Sequence, residues 1–209
     1  MSSEQPLQLI VSSPSGAGKT TLTTRLLELV PGLRFSVSHT TRKPRPNEQD
    51  GREYHFVDQG VFLRMVADGQ FLEHAHVHGN WYGTSRRGVE SLLAQGKDVV
   101  LEIDWQGALQ IRELFPAAQL VFILPPSWDE LAQRLRGRGE DLPEVIARRL
   151  EGARLEVSQA PKFDFVIING SLDKALAELR AVVREQPEAL RFGAQRATHP
   201  EVFAALDLA

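Results

Sequence analysis

The chain has 209 residues, 42% hydrophobic and 24% charged, and no cysteine. That composition describes a globular protein with one sizeable core, and it excludes a disulfide framework, a thiolate zinc site and a cysteine nucleophile. The formal net charge of -3 argues against a general nucleic-acid binder but leaves room for an anionic substrate held in a local positive field.

The first apolar run, "LQLIV" from Leu7, is short and β-branched, as a buried strand should be. Nothing ahead of it has the layout of a signal peptide, and no later run nears the ~18 residues of a membrane span. A cytoplasmic address, with neither membrane nor nucleic acid as partner, is therefore expected. A helix is predicted next, with Leu22, Leu26, Leu29 and Val30 on one face and Pro31-Gly32 as its stop. Residues 37–86 break the pattern: "EYHFV", "FLEHAHV" and "WYGTS" read as short strands around one amphipathic helix, "DQGVFLRMVADG". Two more buried strands follow, "DVVLEI" from Asp98 and "LVFIL" from Leu120.

Residues 127–160 hold two helices joined by "RGRGEDLPE". Asp141 and Glu144 make a capping-box pattern with Pro143 in the first turn, and Ile146, Leu150, Ala153 and Val157 form the second helix's apolar stripe. The last strand, "FDFVII" from Phe163, precedes a helix carrying Leu172, Leu176, Leu179 and Val183, and the end of the chain predicts a short helix. Strand–helix alternation of this kind predicts an α/β fold with a parallel sheet and ligands at the carboxyl ends of its strands. The core is assigned to 1–36, 87–126 and 161–186, with an α+β insertion at 37–86, a helical excursion at 127–160 and a helical tail at 187–209.

Between the first strand and helix lies "SPSGAGKTT". A phosphate loop needs backbone N–H groups converging on oxygens, a helix N-terminus, a lysine for the outer phosphates and a hydroxyl for magnesium. Gly16, Gly18, Lys19 and Thr20 meet those needs, and Ser13 stands where the first glycine of the pattern belongs. A Gly-Ser turn before a helix is the plainer alternative. A second candidate is "FSVSHTTRKPRPNEQDGREYHF", where Arg42, Arg45 and Tyr54 gather groups suited to a phosphate monoester. Alone, that stretch is equally a solvated loop.

Together with "FLEHAHVHGNWYG", "LEIDWQG", "RLRGRGE" and "VIIN", in this order from about Leu7 to Val183, these motifs resemble the guanylate kinases. Those enzymes of purine nucleotide metabolism move the ATP γ-phosphoryl to GMP. The resemblance implies a P-loop NTPase-type three-layer core with a central parallel sheet, 37–86 as the GMP-binding insertion and 127–160 as the lid. It implies ATP as co-substrate, held by Ser13, Pro14, Ser15, Gly16, Ala17, Gly18, Lys19 and Thr20, with Asn169 at the adenine. The acid that usually follows that asparagine is replaced by Gly170. It implies Arg42, Arg45, Tyr54 and Tyr82 on the GMP phosphate, and Ser38, Glu73 and Thr84 on the guanine. Glu102 and Asp104 fall near GMP and Mg²⁺, with Thr20 and Asp104 as magnesium contacts. Lys19, Arg42, Arg138 and Arg149 become the catalytic cations, while Arg134 and Arg148 are as easily solvent-facing.

Three alternatives stand beside this reading. A non-catalytic guanylate-kinase-like module binding phosphorylated segments tends to lose the loop lysine, which Lys19 retains. A P-loop kinase of a sugar phosphate has no need of Ser38, Glu73 and Thr84 together. A GTP-hydrolysing switch would carry an N/T-K-x-D motif, and none occurs. Asp104 reads equally as a helix N-cap, and His74, His76 and His78 as a half-exposed strand face in preference to a metal site.

Overall fold

A computed structural model describes residue 6, residues 8–137 and residues 143–209 of the chain. In order, the elements are β1 (Gln8–Ser12), α1 (Lys19–Leu29), β2 (Leu33–Phe35), β3 (His39–Thr40), β4 (His55–Phe56), α2 (Gln59–Ala67), β5 (Phe71–Val77) and β6 (Asn80–Ser85). There follow α3 (Arg86–Ala94), β7 (Asp98–Glu102), α4 (Trp105–Leu114), β8 (Gln119–Leu124), α5 (Trp128–Arg136), α6 (Pro143–Val157), β9 (Phe165–Ile168), α7 (Leu172–Glu185), α8 (Phe192–Thr198) and α9 (Pro200–Ala205).

The anticipated parallel sheet is present, with strand order β2-β7-β1-β8-β9. All six residues of β8 are buried, as expected for a strand covered on both faces. Three residues of β2, in parallel register with Asp98, Val99 and Val100, complete one edge. A second sheet, β4-β3-β6-β5, occupies the predicted insertion, and β6 runs antiparallel to both β3 and β5. The tail forms two short helices, α8 and α9, where one was expected.

Tertiary contacts divide the chain into two compact units. One is built on Gly32–Ala118 with residues 8–10 of β1, and the other on Val11–Pro31 and Gln119–Ala209. In the second unit the stripe predicted for α6 is real: Ile146 and Ala153 bury themselves against Leu131 and Leu135 of α5, with Trp128 and Leu150 packed alongside. Asp141, read as that helix's cap, lies outside the described residues. Among the described residues, no helix is long and apolar enough to cross a membrane.

Candidate active site

The loop between β1 and α1 belongs to the second unit. Gly16 (φ 92) and Gly18 (φ 96) take left-handed conformations, which side chains disfavour and which let successive backbone N–H groups turn toward one anion. Lys19 is the first residue of α1, and none of that helix's own first-turn residues is acidic, so its N-terminal dipole favours an anion.

Distant residues brace the loop. The Ala17 N–H donates to the Pro14 carbonyl at 3.2 Å, and the Ala17 carbonyl accepts from Asn169 Nδ2 at 2.8 Å. The Ser15 N–H donates to Glu156 Oε2 of α6 at 3.3 Å. A Cβ at Gly16 would press on Leu135 of α5 at 2.9 Å, and one at Gly18 would collide with the Asn169 amide. Asn169 is buried, and its own carbonyl accepts from Arg134 Nη2 at 2.8 Å while Arg134 pairs with Glu130. Arg134 and Asn169 therefore share a network supporting the loop. The Ser13 hydroxyl donates to the Pro14 carbonyl at 3.0 Å, a contact confined to the loop itself. Arg149 sits half-buried on α6 and Arg148 is exposed; Arg138 lies outside the described residues.

The first unit gathers the second set of predicted residues. In β5 and β6, Glu73 stands opposite Thr84, and Ala75 opposite Tyr82. Glu73 is only 3% exposed and Thr84 fully buried, a costly place for a carboxylate unless donors meet it. Thr84 Oγ1 donates to Glu73 Oε1 at 2.5 Å, and the Ser38 hydroxyl lies 3.4 Å from Thr84 Oγ1. These three side chains form one polar cluster.

The phosphate-type residues lie on the loop after β3. Arg42 Nη2 donates to Glu48 Oε1 at 2.8 Å, and the Arg45 N–H donates to Glu48 Oε2 at 2.8 Å. Burial pushes the Glu48 carboxyl up, but the Arg42 guanidinium and the Arg45 amide outweigh it and hold it below the usual range. The Arg42 guanidinium also rests 5.5 Å from the Tyr54 ring centroid. Tyr54 packs edge-on against Tyr82, with ring centroids 5.8 Å apart. Burial first, and then the nearby Glu102 carboxylate, push the Tyr54 phenol up, so it stays a hydrogen-bond donor at any working pH.

Asp104 serves as N-cap of α4: Oδ1 accepts from the Gly107 N–H at 2.9 Å and Oδ2 from Gln106 Nε2 at 3.1 Å. His74 and His76 flank the Trp81 ring at 6.0 and 5.0 Å. Among the described residues, no three His, Cys, Asp or Glu side chains are grouped to hold a metal.

The profile of the guanylate kinase family matches residues 5–186. The chain belongs to the guanylate kinase family. It is 57% identical to a guanylate kinase of Dechloromonas aromatica over 194 residues, 93% of this chain and 95% of that one. A guanylate kinase of Thiobacillus denitrificans is 54% identical, covering 90% of this chain and 88% of the relative. The crystal structure of guanylate kinase from Anaplasma phagocytophilum superimposes with a TM-score of 0.73 at 32% identity, over 93% of this chain and 94% of that one.

For a member of this family, the sequence reading passed over four residues that the structure brings forward: Glu48, which bonds Arg42, Glu156, which takes the Ser15 N–H, and on α4 Gly107 and Gln110, which meet Glu73 and His74 of β5. Only Glu48 carried a local signal, three residues after Arg45 in a turn. The others act across at least thirty-four positions of chain, beyond what spacing reveals.

Proposed function

We infer that the chain catalyses ATP-dependent phosphorylation of GMP, giving ADP and GDP. The observation that carries this reading is the buried Glu73–Thr84–Ser38 cluster in a chain that also bears the Gly16–Thr20 loop. A carboxylate accepts from guanine N1–H and the N2 amino group, and a hydroxyl donates to O6. Adenine has neither N1–H nor that amino group and carries a donor at position 6, so it would leave a buried carboxylate unmatched. Sites built on such bonds reject the wrong base by on the order of 10⁴-fold.

In this mechanism Arg42, Arg45, Tyr54 and Tyr82 hold the GMP phosphate. Glu48 holds the Arg42 guanidinium and the Arg45 backbone in place before substrate arrives, so less ordering cost falls on binding. The phosphate of GMP is already an anion, and no base has to generate the nucleophile. In-line transfer then needs positioning and neutralisation of charge spread over the equatorial oxygens. Lys19, the loop N–H groups, Arg138 and Arg149 supply it, and closing arginines exclude the water that would hydrolyse ATP.

Thr20 and Asp104 would hold Mg²⁺. Hydroxyl and carboxylate oxygens suit that hard cation, and Asp104, with both oxygens already accepting one bond each, keeps lone pairs for a metal-bound water. When bound, the metal would supply positive charge to the phosphates.

The loop carries two opposed predictions. Gly18→Ala meets the Asn169 amide and a left-handed φ costing roughly 1–2 kcal/mol, so the KM for ATP should rise about tenfold or more. Ser13→Gly removes only a contact within the loop, so activity should stay within about twofold of wild type. Steady-state kinetics on both variants checks the pair.

A coupled ADP-release assay with GMP or a sugar phosphate as acceptor tests the assignment. Release only with GMP, abolished by chelation of Mg²⁺, is the expected result. No release above the acceptor-free background would refute it, and release with the sugar phosphate alone would move the chain to another kinase class.

A further inference from the structure

Glu73 meets more than its hydroxyl neighbours. While Thr84 bonds Oε1, Oε2 lies against α4, where a Cβ built on Gly107 would collide with it and approach the carboxyl carbon to 2.9 Å. Gly107 is the third residue of α4; its N–H is taken by the N-cap Asp104, whose Oδ1 lies 3.3 Å from the same Cβ position, so the space beside Glu73 is closed on that side too.

One turn on, and on the same helix face, Gln110 makes a second contact with β5. Its Oε1 accepts from the His74 N–H at 3.2 Å and its Nε2 donates to the His74 carbonyl at 3.0 Å. β5 is an edge strand of its sheet, and this pair of bonds takes the place of a neighbouring strand at the residue after Glu73. The support falls just after an irregularity in the ladder, because the β5–β6 register shifts between Phe71 and Glu73 and runs regularly from Glu73 on. Such shifts re-aim side chains and weaken local pairing.

We propose that Gly107 and Gln110 are specificity-determining positioning residues for the guanine base. Gly107 leaves the space in which the Glu73 carboxylate sits, and Gln110 fixes the backbone that carries it. The inference rests on Glu73 as the base-reading group. A carboxylate that accepts two adjacent N–H groups must share their plane, so a methyl at position 107 displaces it from the geometry that distinguishes guanine. The same methyl raises helix propensity, so a change in base recognition is not what helix stability alone would produce.

The test is steady-state kinetics on the full chain carrying Gly107→Ala, Gln110→Ala, Gln110→Glu, Glu73→Gln and the doubles with Glu73→Gln. Gly107→Ala should raise the KM for GMP about tenfold or more, with the KM for ATP and kcat within about twofold of wild type. Gln110→Ala should raise it about threefold to tenfold, and Gln110→Glu, which turns the Nε2 donor into an anionic oxygen facing the His74 carbonyl, should recover none of that loss. In the Glu73→Gln background neither substitution should add more than about twofold, because the group they position is gone.

Undiminished effects in that background, or equal losses toward ATP, overturn the proposal. If Glu73→Gln raises the KM for GMP while the positions on α4 do not, the positioning role fails and the guanine reading stands. If Glu73→Gln leaves it unchanged, both fall. Should Gly107→Ala not fold, the Gln110 cycle decides alone.

Discussion

Lys19→Met is expected to lower kcat on the order of 10²–10³-fold, the loss typical when one preorganised donor at a developing charge is removed. Lys19 opens α1 directly after the left-handed Gly18, at the end of the helix where backbone dipoles already favour anions. Methionine keeps a long unbranched stem and a similar helix propensity, so the fold should be undisturbed. What disappears is one positive charge on the outer phosphates of ATP, just where charge builds during transfer. GMP binding, assigned to the first unit, should be unchanged by calorimetry, and the unfolding midpoint should hold. Activity within about threefold of wild type would remove Lys19 from the catalytic set.

Glu73→Gln has the second large expected effect, and it falls on the other substrate. The side chain is buried and bonded to Thr84, so an isosteric amide keeps the packing. It replaces one acceptor with an N–H2 group that faces donors on the guanine edge. Losing one charge-assisted hydrogen bond, worth about 1.5–3 kcal/mol, and setting an N–H2 against a guanine donor should lower kcat/KM for GMP on the order of 10²-fold or more. The KM for ATP should move little, and discrimination against AMP should collapse. An unchanged KM for GMP would show that another group reads the base.

The two effects differ in how far the sequence alone exposes them. The phosphate loop is readable because its requirements are local: two glycines with positive φ, a lysine and a hydroxyl in eight consecutive residues. The strands β1, β7, β8 and β9 are readable too, as short apolar runs that a doubly covered sheet demands. β2 is not, because three residues acquire strand geometry only by pairing with Asp98–Val100 some sixty positions later. Glu73 looks like any surface acid on a strand until Thr84, the register shift and α4 surround it, so only family resemblance singled it out.

Asn169 illustrates the reverse case. Its side chain was assigned to adenine, and the structure adds a role no local pattern carries: its amide holds Ala17, 152 residues earlier in the chain. Glu156 does the same for Ser15 across 141 residues. Local chemistry marks where a phosphate binds, while tertiary contacts decide how firmly the loop is held.

The most direct test of the account is kcat/KM for GMP beside kcat/KM for AMP, measured on the wild-type chain at saturating ATP and Mg²⁺. A ratio on the order of 10⁴ in favour of GMP is predicted from the buried carboxylate. A ratio near unity, or one favouring AMP, would contradict it.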